Sequence, residues 1–308
     1  MRTKLFLPPG VLQTSFQQAG RAYEVWRSNV GDARCRELLR NMQLLVLLYI
    51  EGGSVIELHD EEWSNRRWEV FFLYNKQSDE YNFIGYCTLY RYYFFNKLSA
   101  DQVRVRLSQF LILPPYQREG FGSRFYDTII QCYLGTPEVR EITIEDPSQE
   151  FSDLRDRRDM YRLENDSDFR TMELTSVIPR NPLMGLRQRA KMPIRQFSRC
   201  IEMKLLQNLN VKDKIAQRTY RLIVKSRIYK QHSDVLSQLD RLYRIEKLDE
   251  TYHHVEDDYR RLLQTLKHSK VEEGDVGGRT GKRMVQEAEE NRNQSKRVRV
   301  VHEEYLGV

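Results

Sequence analysis

The sequence predicts a mixed α+β domain that gives way to helices alone, and three observations carry the prediction. Aromatic and β-branched runs at 68–75 and 81–95 read as strands, 103–134 reads as strand, glycine turn and helix, and from about residue 180 only helical periodicity remains. The first element is "CRELLRNMQLLVLLYI" (35–50), a helix whose apolar face widens toward its C-terminal half and which Gly52 and Gly53 stop. Its run "LLVLLYI" (44–50) is far too short for a membrane span and predicts a buried helix. "WEVFFLYN" and "YNFIGYCTLYRYYFF" follow as two strands, with "KQSDE" as their hairpin connection. "VRVRLSQFLIL" (103–113) alternates and then turns continuously apolar, as a strand entering a core does, until Pro114 and Pro115 end it. "SRFYDTIIQCYL" (123–134) has the helical period, "VREITIED" (139–146) is another strand, and "PSQEFSDLRDRRDMYRL" opens a further helix. Asp146, Pro147 and Gln149 fit its N-cap, N1 and N3 positions.

The C-terminal third is helical throughout. "MPIRQFSRCIEMKLLQNL" places Ile194, Phe197, Ile201, Leu205 and Leu209 along one face, and "KDKIAQRTYRLIVKSRIYKQ" follows it. "IEKLDETYHHVEDDYRRLLQTL" puts Ile245, Leu248, Tyr252, Val255, Tyr259, Leu262 and Leu266 at alternating steps of three and four, the seam of a small bundle or helical hairpin. After Lys270 the periodicity is lost, and the composition predicts a disordered charged tail.

The distribution of charge is more informative than its sum of +6. Residues 180–230 carry fourteen Lys/Arg against only Glu202 and Asp213, whereas residues 1–179 carry 22 basic against 26 acidic. A mildly acidic body with one basic segment argues against simple DNA binding. Cys35, Cys87, Cys132 and Cys200 are scattered, without a CxxC pair or a His at metal spacing, so free thiols in a reducing compartment are expected. The N-terminus lacks the apolar stretch and cleavage site of a secretory signal.

The stretch "QREGFG" (117–122), between strand and helix, is the first pointer to chemistry. A helix N-terminus presents unpaired N–H groups and the positive end of the dipole, and glycines let the backbone approach an anion closely. The spacing is neither that of a P-loop, since no Gly-Lys-Ser/Thr closes it, nor the Rossmann fingerprint, whose first glycine would fall at Gln117.

"SQFLILPPYQREGFGSRFYDTI" followed by "ITIEDPSQEFSDLRDRRD" resembles the acetyl-CoA core of the GNAT acetyltransferases and, more narrowly, the catalytic subunits of the type B histone acetyltransferases. The resemblance extends through "YIEGGSVIELHDEEW", "GYCTLYRYY" and "VEDDYRRLL", and so covers most of residues 20–266. It implies a GNAT-type mixed sheet with flanking helices, followed by an all-α C-terminal helical domain. The implied division is a shortened remnant of the N-terminal region at 1–22, a catalytic domain at 23–177, a helical domain at 178–266 and the tail at 267–308. Relatives carry a long N-terminal region ahead of this core, of which "LFLPPG" and the segment from about Tyr23 are the matching parts here.

The resemblance also implies a site. Two neighbouring parallel strands would splay apart, and the backbone of Phe110, Leu111 and Ile112 would pair with the pantetheine arm of acetyl-CoA. The loop Gln117, Arg118, Glu119, Gly120, Phe121, Gly122 and Ser123 would wrap the pyrophosphate through its amides, and Ser148, Phe151 and Arg157 would touch the cofactor's other side. Phe121 stands where many relatives have a polar residue or histidine, and Phe151 has a core contact as its equal alternative. Glu145 would be the general base, since a lysine ammonium with a pKa near 10.4 must lose its proton before attacking a thioester. Asp146 would support it beside its capping role, and Glu51 is a further family carboxylate whose plain alternative is the solvated end of a helix. Trp63 and Tyr90 would line the lysine channel or, alternatively, belong to the core, and the acidic run around Glu57, Asp60, Glu61 and Glu62 would attract a Lys/Arg-rich tail.

The implied activity is acetyl transfer to lysines of the free histone H4 tail, with direct attack by the amine and no metal. H4 (alone or with H3) and a WD-repeat histone chaperone are the implied partners, and nucleus and cytoplasm the implied locations. A GNAT acting on another amine, a non-catalytic acetyl-CoA- and histone-binding form, and a nucleic-acid-binding helical protein built on the basic segment are the competing readings.

Overall fold

The computed structural model describes residues 6–58, 61–95, 102–171 and 180–266. Its centre is a six-stranded sheet in the order β1 (Val11–Gln18), β2 (Arg21–Asn29), β3 (Trp68–Gln77), β4 (Glu80–Tyr93), β5 (Val103–Ile112), β6 (Val139–Ile144). All neighbours are antiparallel except β5 and β6.

The hairpin β1–β2 precedes the first predicted element. Its turn residues Ala19 and Gly20 both have positive φ, 48° and 74°, which matches the twist of a tight two-residue hairpin. Part of the segment expected to be an N-terminal remnant is therefore integral to the sheet.

The strands at 68–77 and 80–93 form where their composition predicts. Strand β3 is buried over eight successive residues because both faces of the sheet are covered. Val70, Phe72 and Tyr74 join the core formed with Cys35, Leu39, Met42 and Val46 of α1 (Ala33–Tyr49). Phe71 and Leu73 face the opposite core, with Phe125, Ile129, Ile130 and Tyr133 of α3 (Phe121–Leu134). The side chain of Asp32 caps α1 by accepting from Arg34 N–H at 2.8 Å. The expectation that "LLVLLYI" is buried fails on one side: Leu44, Leu47 and Leu48 are each 63% exposed. The side that meets the sheet is the stripe Cys35, Leu39, Met42 and Val46. The short α2 (Glu61–Arg67) leads into β3.

Beyond β6 come α4 (Gln149–Glu164), α5 (Ser167–Thr171), α6 (Arg180–Arg189), α7 (Ile194–Asn208), α8 (Lys214–Gln231), α9 (Ser233–Leu236) and α10 over 241–266. The chain divides into two compact units, Met1–Arg227 and a second beginning at Ile228. The change of periodicity near 178 is therefore not where compactness breaks. Ile142 N–H donates to Lys191 C=O at 2.9 Å, and Asp156 of α4 takes Gln196 and Arg199 of α7, so α7 is part of the sheet's own unit. On α7, Phe197, Ile201 and Leu205 are buried as predicted, while Ile194 is 71% exposed. In the second unit Tyr252, Tyr259 and Leu262 of α10 are buried, but Ile245 is exposed. The predicted tail lies outside the described residues. Among the described residues no helix is long and apolar enough to cross a membrane.

Candidate functional site

A bulge opens the sheet. Thr88 pairs with Gln109 but Leu89 pairs with Leu107, so Ser108 is the extra residue of β5. Before it, β5 and β6 run in parallel register to Leu107 opposite Ile144, and Glu145 N–H donates to Leu107 C=O at 2.9 Å. After it, β5 continues to Ile112 with β4 on one side and, among the described residues, no strand on the other. The N–H groups of Gln109 and Leu113 donate toward β4, to Thr88 Oγ1 and Ile84 C=O. By the alternation of an extended strand, Phe110 and Ile112 direct their backbone groups to the open edge. Leu111 directs its own toward Tyr86. Of the three backbone residues expected to meet a pantetheine arm, Phe110 turns its backbone groups to the edge, Ile112 turns its N–H there beside a carbonyl that Gln117 occupies, and Leu111 turns away.

The glycine loop closes the far end of this edge. Gln117 Nε2 donates to Ile112 C=O at 2.7 Å, and a 3-10 turn at Pro114–Tyr116 leads into the loop. Arg118 and Gly120 both take positive φ, 63° and 86°. A Cβ on Gly120 would meet nothing within 4 Å, so backbone conformation rather than space selects glycine there. The first helical bond of α3 runs from Arg124 N–H to Gly120 C=O at 3.2 Å, and Gly120 supplies no side-chain cap. The amides of Phe121, Gly122 and Ser123 are left outside the helical ladder, which is the donor set an anionic phosphate requires. The ring of Phe121 points inward, buried and 4.7 Å from Tyr23, so only its backbone serves the loop. Gln18 Nε2 holds the loop from outside by donating to Glu119 C=O at 2.8 Å. Gly122 has a different reason: a Cβ there would stand 3.1 Å from Leu154, where α3 packs on α4.

The start of α4 corrects one expectation. Its N-cap is Ser148, whose hydroxyl accepts from Phe151 N–H at 3.3 Å, and not Asp146. Asp146 has φ 29° and belongs to the turn before the helix, outside the extended conformation an N-cap needs. Ser148 keeps its own proton for a second partner. Phe151 packs on Phe110 at 4.8 Å and Tyr126 at 6.0 Å, the core contact that was its alternative, and Arg157 lies half-buried further along α4.

Glu145 sits at the mouth of the opening. Its Oε2 accepts from Ser108 Oγ at 2.7 Å, its Oε1 is 3.9 Å from Arg106 Nη1, and its side chain is 39% exposed. The Tyr90 hydroxyl accepts from Arg106 Nη1 at 3.1 Å, and its ring lies 4.9 Å from that of Trp68. Partial burial pushes the Tyr90 phenol above its ordinary pKa, and the charge of Glu145 adds to this against the opposing pull of Arg106. Ser108, Arg106 and Tyr92 join this cluster without having been singled out in the sequence. Their signal is the period-two placement of Arg104 and Arg106 on β5 against Tyr92 and Tyr90 on β4, legible only once the cross-strand register is known.

The remaining predicted residues are more dispersed. Asp146 is exposed beside Glu145. Glu51 is exposed in the turn after α1 and makes no ion pair among the described residues; its loop reaches β5 through Ser54 C=O, which accepts from Gln109 Nε2 at 3.0 Å. Trp63 is 43% exposed on α2 with the Arg67 guanidinium 4.8 Å from its ring. In the acidic run Glu57 is exposed and Glu62 pairs with Arg66 at 2.9 Å, while Asp60 and the side chain of Glu61 lie outside the described residues. No group of three His, Cys, Asp or Glu that could hold a metal ion occurs among the described residues.

Comparison with known proteins places the chain in a family. Residues 1–51 match the family model described as histone acetyl transferase HAT1 N-terminus, and residues 156–210 match fungal HAT1, C-terminal. A histone acetyltransferase type B catalytic subunit of Gibberella zeae is 34% identical over 327 residues, covering 87% of this chain and 69% of that protein. The chain belongs to the type B histone acetyltransferase catalytic subunit family. The Schizosaccharomyces pombe member is 36% identical over 247 residues, and the match covers 80% of this chain but 64% of that relative's length. Among solved structures, an aminoglycoside acetyltransferase, meta-AAC0020, aligns with 15% identity and a TM-score of 0.32, over 51% of this chain and 93% of its own. Arabidopsis thaliana NAA60 in complex with acetyl-CoA aligns with 10% identity and a TM-score of 0.32, over 44% and 84%.

In this family member five of the fourteen basic residues of the segment pair with acids of the fold. Arg187 pairs with Glu141, Arg189 with Asp166 and Asp168, Arg199 with Asp156, Lys204 with Glu164 and Arg227 with Glu202. Part of the local excess of charge thus ties α6 to α8 to β6, α4, α5 and each other.

Proposed function

We propose that this chain transfers acetyl groups from acetyl-CoA to lysine side chains of the free histone H4 tail. One observation carries the proposal: the opened edge of β5 runs from the Glu145 carboxylate at one end to the unpaired amides of α3 at the other. Phe110 and the Ile112 N–H can pair with an amide-bearing arm along that edge, and the amides of residues 121–123 can hold phosphates beyond it. Acetyl-CoA supplies the acetyl group as an activated thioester. At pH 7 a lysine holds its proton by roughly 4–5 kcal/mol, which the acceptor side has to offset. Glu145 can take that proton, because Ser108 fixes Oε2 and leaves Oε1 without a hydrogen bond among the described residues. Asp146 adds negative charge near the amine, and Glu51 and Trp63 stand as second-rank contacts of the acceptor.

Family membership supports a histone substrate, since the relatives are named histone acetyltransferases. The exposed acidic residues near α2 suit a Lys/Arg-rich tail. A WD-repeat histone chaperone as partner, and work in both cytoplasm and nucleus, belong to the same proposal. Mass spectrometry of histone H4 incubated with the chain and acetyl-CoA tests it. Additions of 42 Da (roughly, one acetyl group) on tail lysines are expected, with none on an H4 tail whose lysines are arginine. Acetylation of small amines alone would favour another amine substrate, and binding of acetyl-CoA without turnover would favour the non-catalytic form.

A further inference from the structure

We infer that Arg106 is a positioning residue of the acceptor side, holding Tyr90 and Glu145 in place and biasing the incoming lysine toward its neutral form; this rests on the acetyl-transfer reading above. The contrast with Arg104, two residues earlier on the same strand, is what points to it. Arg104 spends its charge in an ordinary ion pair, Nε to Glu141 Oε1 at 2.6 Å. Arg106 has no such partner. Its Nη1 and Nη2 donate to the phenol oxygens of Tyr90 at 3.1 Å and Tyr92 at 3.3 Å, and its guanidinium lies 4.9 Å from the Tyr92 ring centre. Glu145 Oε1 is 3.9 Å away, close enough to feel the charge and too far for a hydrogen bond. The Nε of Arg106 is buried without a hydrogen-bond partner among the described residues.

A guanidinium anchored on two neutral hydroxyls, with its side chain 35% exposed and its nearest carboxylate 3.9 Å away, is a weak structural staple. It makes better sense as a fixed field. A phenol oxygen that accepts from Arg106 must turn its own proton elsewhere, so Tyr90 is left as a donor aimed away from the guanidinium. The positive charge is felt by any ammonium that reaches Glu145 and not by the neutral amine, so it favours the form that can attack. The groups facing Arg106 are Tyr90 and Tyr92 on β4, Arg104 on β5 with its partner Glu141 on β6, and Glu145 after β6; Tyr92 is itself steadied by Thr143 at 3.4 Å. None of these supplies a second cation free to replace it.

Arg106→Met and Arg106→Lys test the assignment in steady-state acetylation of an H4 tail peptide from pH 6 to 10. Arg106→Met should lower kcat about 10–100-fold at pH 7 and recover as pH rises, with acetyl-CoA affinity within about twofold of wild type. Arg106→Lys, which keeps the charge but not the fork, should lose less and keep the wild-type pH profile. A pH profile in Arg106→Met that parallels wild type, or acetyl-CoA affinity that falls in step with kcat, would overturn the assignment. Should Arg106→Met not fold, Arg106→Lys and Tyr92→Phe decide: wild-type turnover in both overturns it. The same assay separates the readings: no acetylation by the wild-type chain sinks the proposed reaction, full activity in Glu145→Gln sinks only the choice of base, and a silent Arg106→Met beside an impaired Glu145→Gln sinks only this inference.

Discussion

Glu69 and Glu145 are carboxylates of the same sheet, and the sheet treats them in opposite ways. Glu69 is the second residue of β3 with its side chain 9% exposed, and every direction around it is taken. Arg27 on β2 approaches to 2.5 Å, Arg91 on β4 to 2.6 Å, and the Tyr133 hydroxyl on α3 donates at 2.8 Å. Burial pushes its carboxyl up, and Arg27, Arg91 and Tyr133 together outweigh that and hold it below the ordinary carboxylate value. Glu145 lies just past β6 with its side chain 39% exposed, one hydroxyl at 2.7 Å and its nearest guanidinium at 3.9 Å. A saturated carboxylate joins three strands and a helix; one with an unclaimed oxygen is available for a proton.

Exchanging each for glutamine should therefore break different properties. The largest effect expected is on turnover: Glu145→Gln should slow H4 peptide acetylation by about 10²–10⁴-fold while its melting temperature stays at the wild-type value. Glu69→Gln should instead cost roughly 3–5 kcal/mol of stability in urea unfolding, because Arg27 and Arg91 would keep their burial and lose their counter-charge. The pH dependence has a definite sign. A carboxyl held below its unfolded value contributes stability above about pH 4.3, and that contribution is lost as pH falls through the lower folded value. Wild-type unfolding should show this acid-side loss, and Glu69→Gln should show less of it.

Two smaller changes sharpen the contrast between binding and framework. Gly120→Val should weaken acetyl-CoA binding about tenfold in calorimetry, since φ of 86° strains a β-branched residue by roughly 1–2 kcal/mol although no atom stands in its way. Ser148→Ala should cost about 1 kcal/mol of stability through loss of the α4 cap. Asp146→Asn should leave stability nearly unchanged, because asparagine tolerates positive φ as well as aspartate does.

What could be read from the sequence follows from how local its cause is. Strands β3 to β6, the glycine loop and helices α1, α3 and α4 declare themselves through runs and periods within one segment. The β1–β2 hairpin did not, because its inward residues Phe16, Tyr23 and Val25 are interrupted by glutamines and charges that suit the sheet's edge and the ion pair of Glu24 with Lys76 on β3. Asp146 and Ser148 are equally good caps by residue type, and only the backbone turn at Asp146 decides between them. Arg106 needs the register of β4 against β5, and the exposed side of α1 needs knowledge of which residues the sheet covers. The ion pairs within the basic segment were not legible, because partners such as Asp156 and Glu164 lie about forty residues away along the chain.

The central claim, that Glu145 is the open carboxylate of an acetyl-transfer site, is tested most directly by the pH–rate profile of Glu145→Gln under saturating acetyl-CoA. The account predicts an acetyl-CoA affinity like that of wild type, a rate about 10²–10⁴-fold lower near pH 7, and a rise toward the wild-type rate as pH approaches the lysine's own value near 10.4. A Glu145→Gln protein with the wild-type rate and the wild-type pH profile would contradict it.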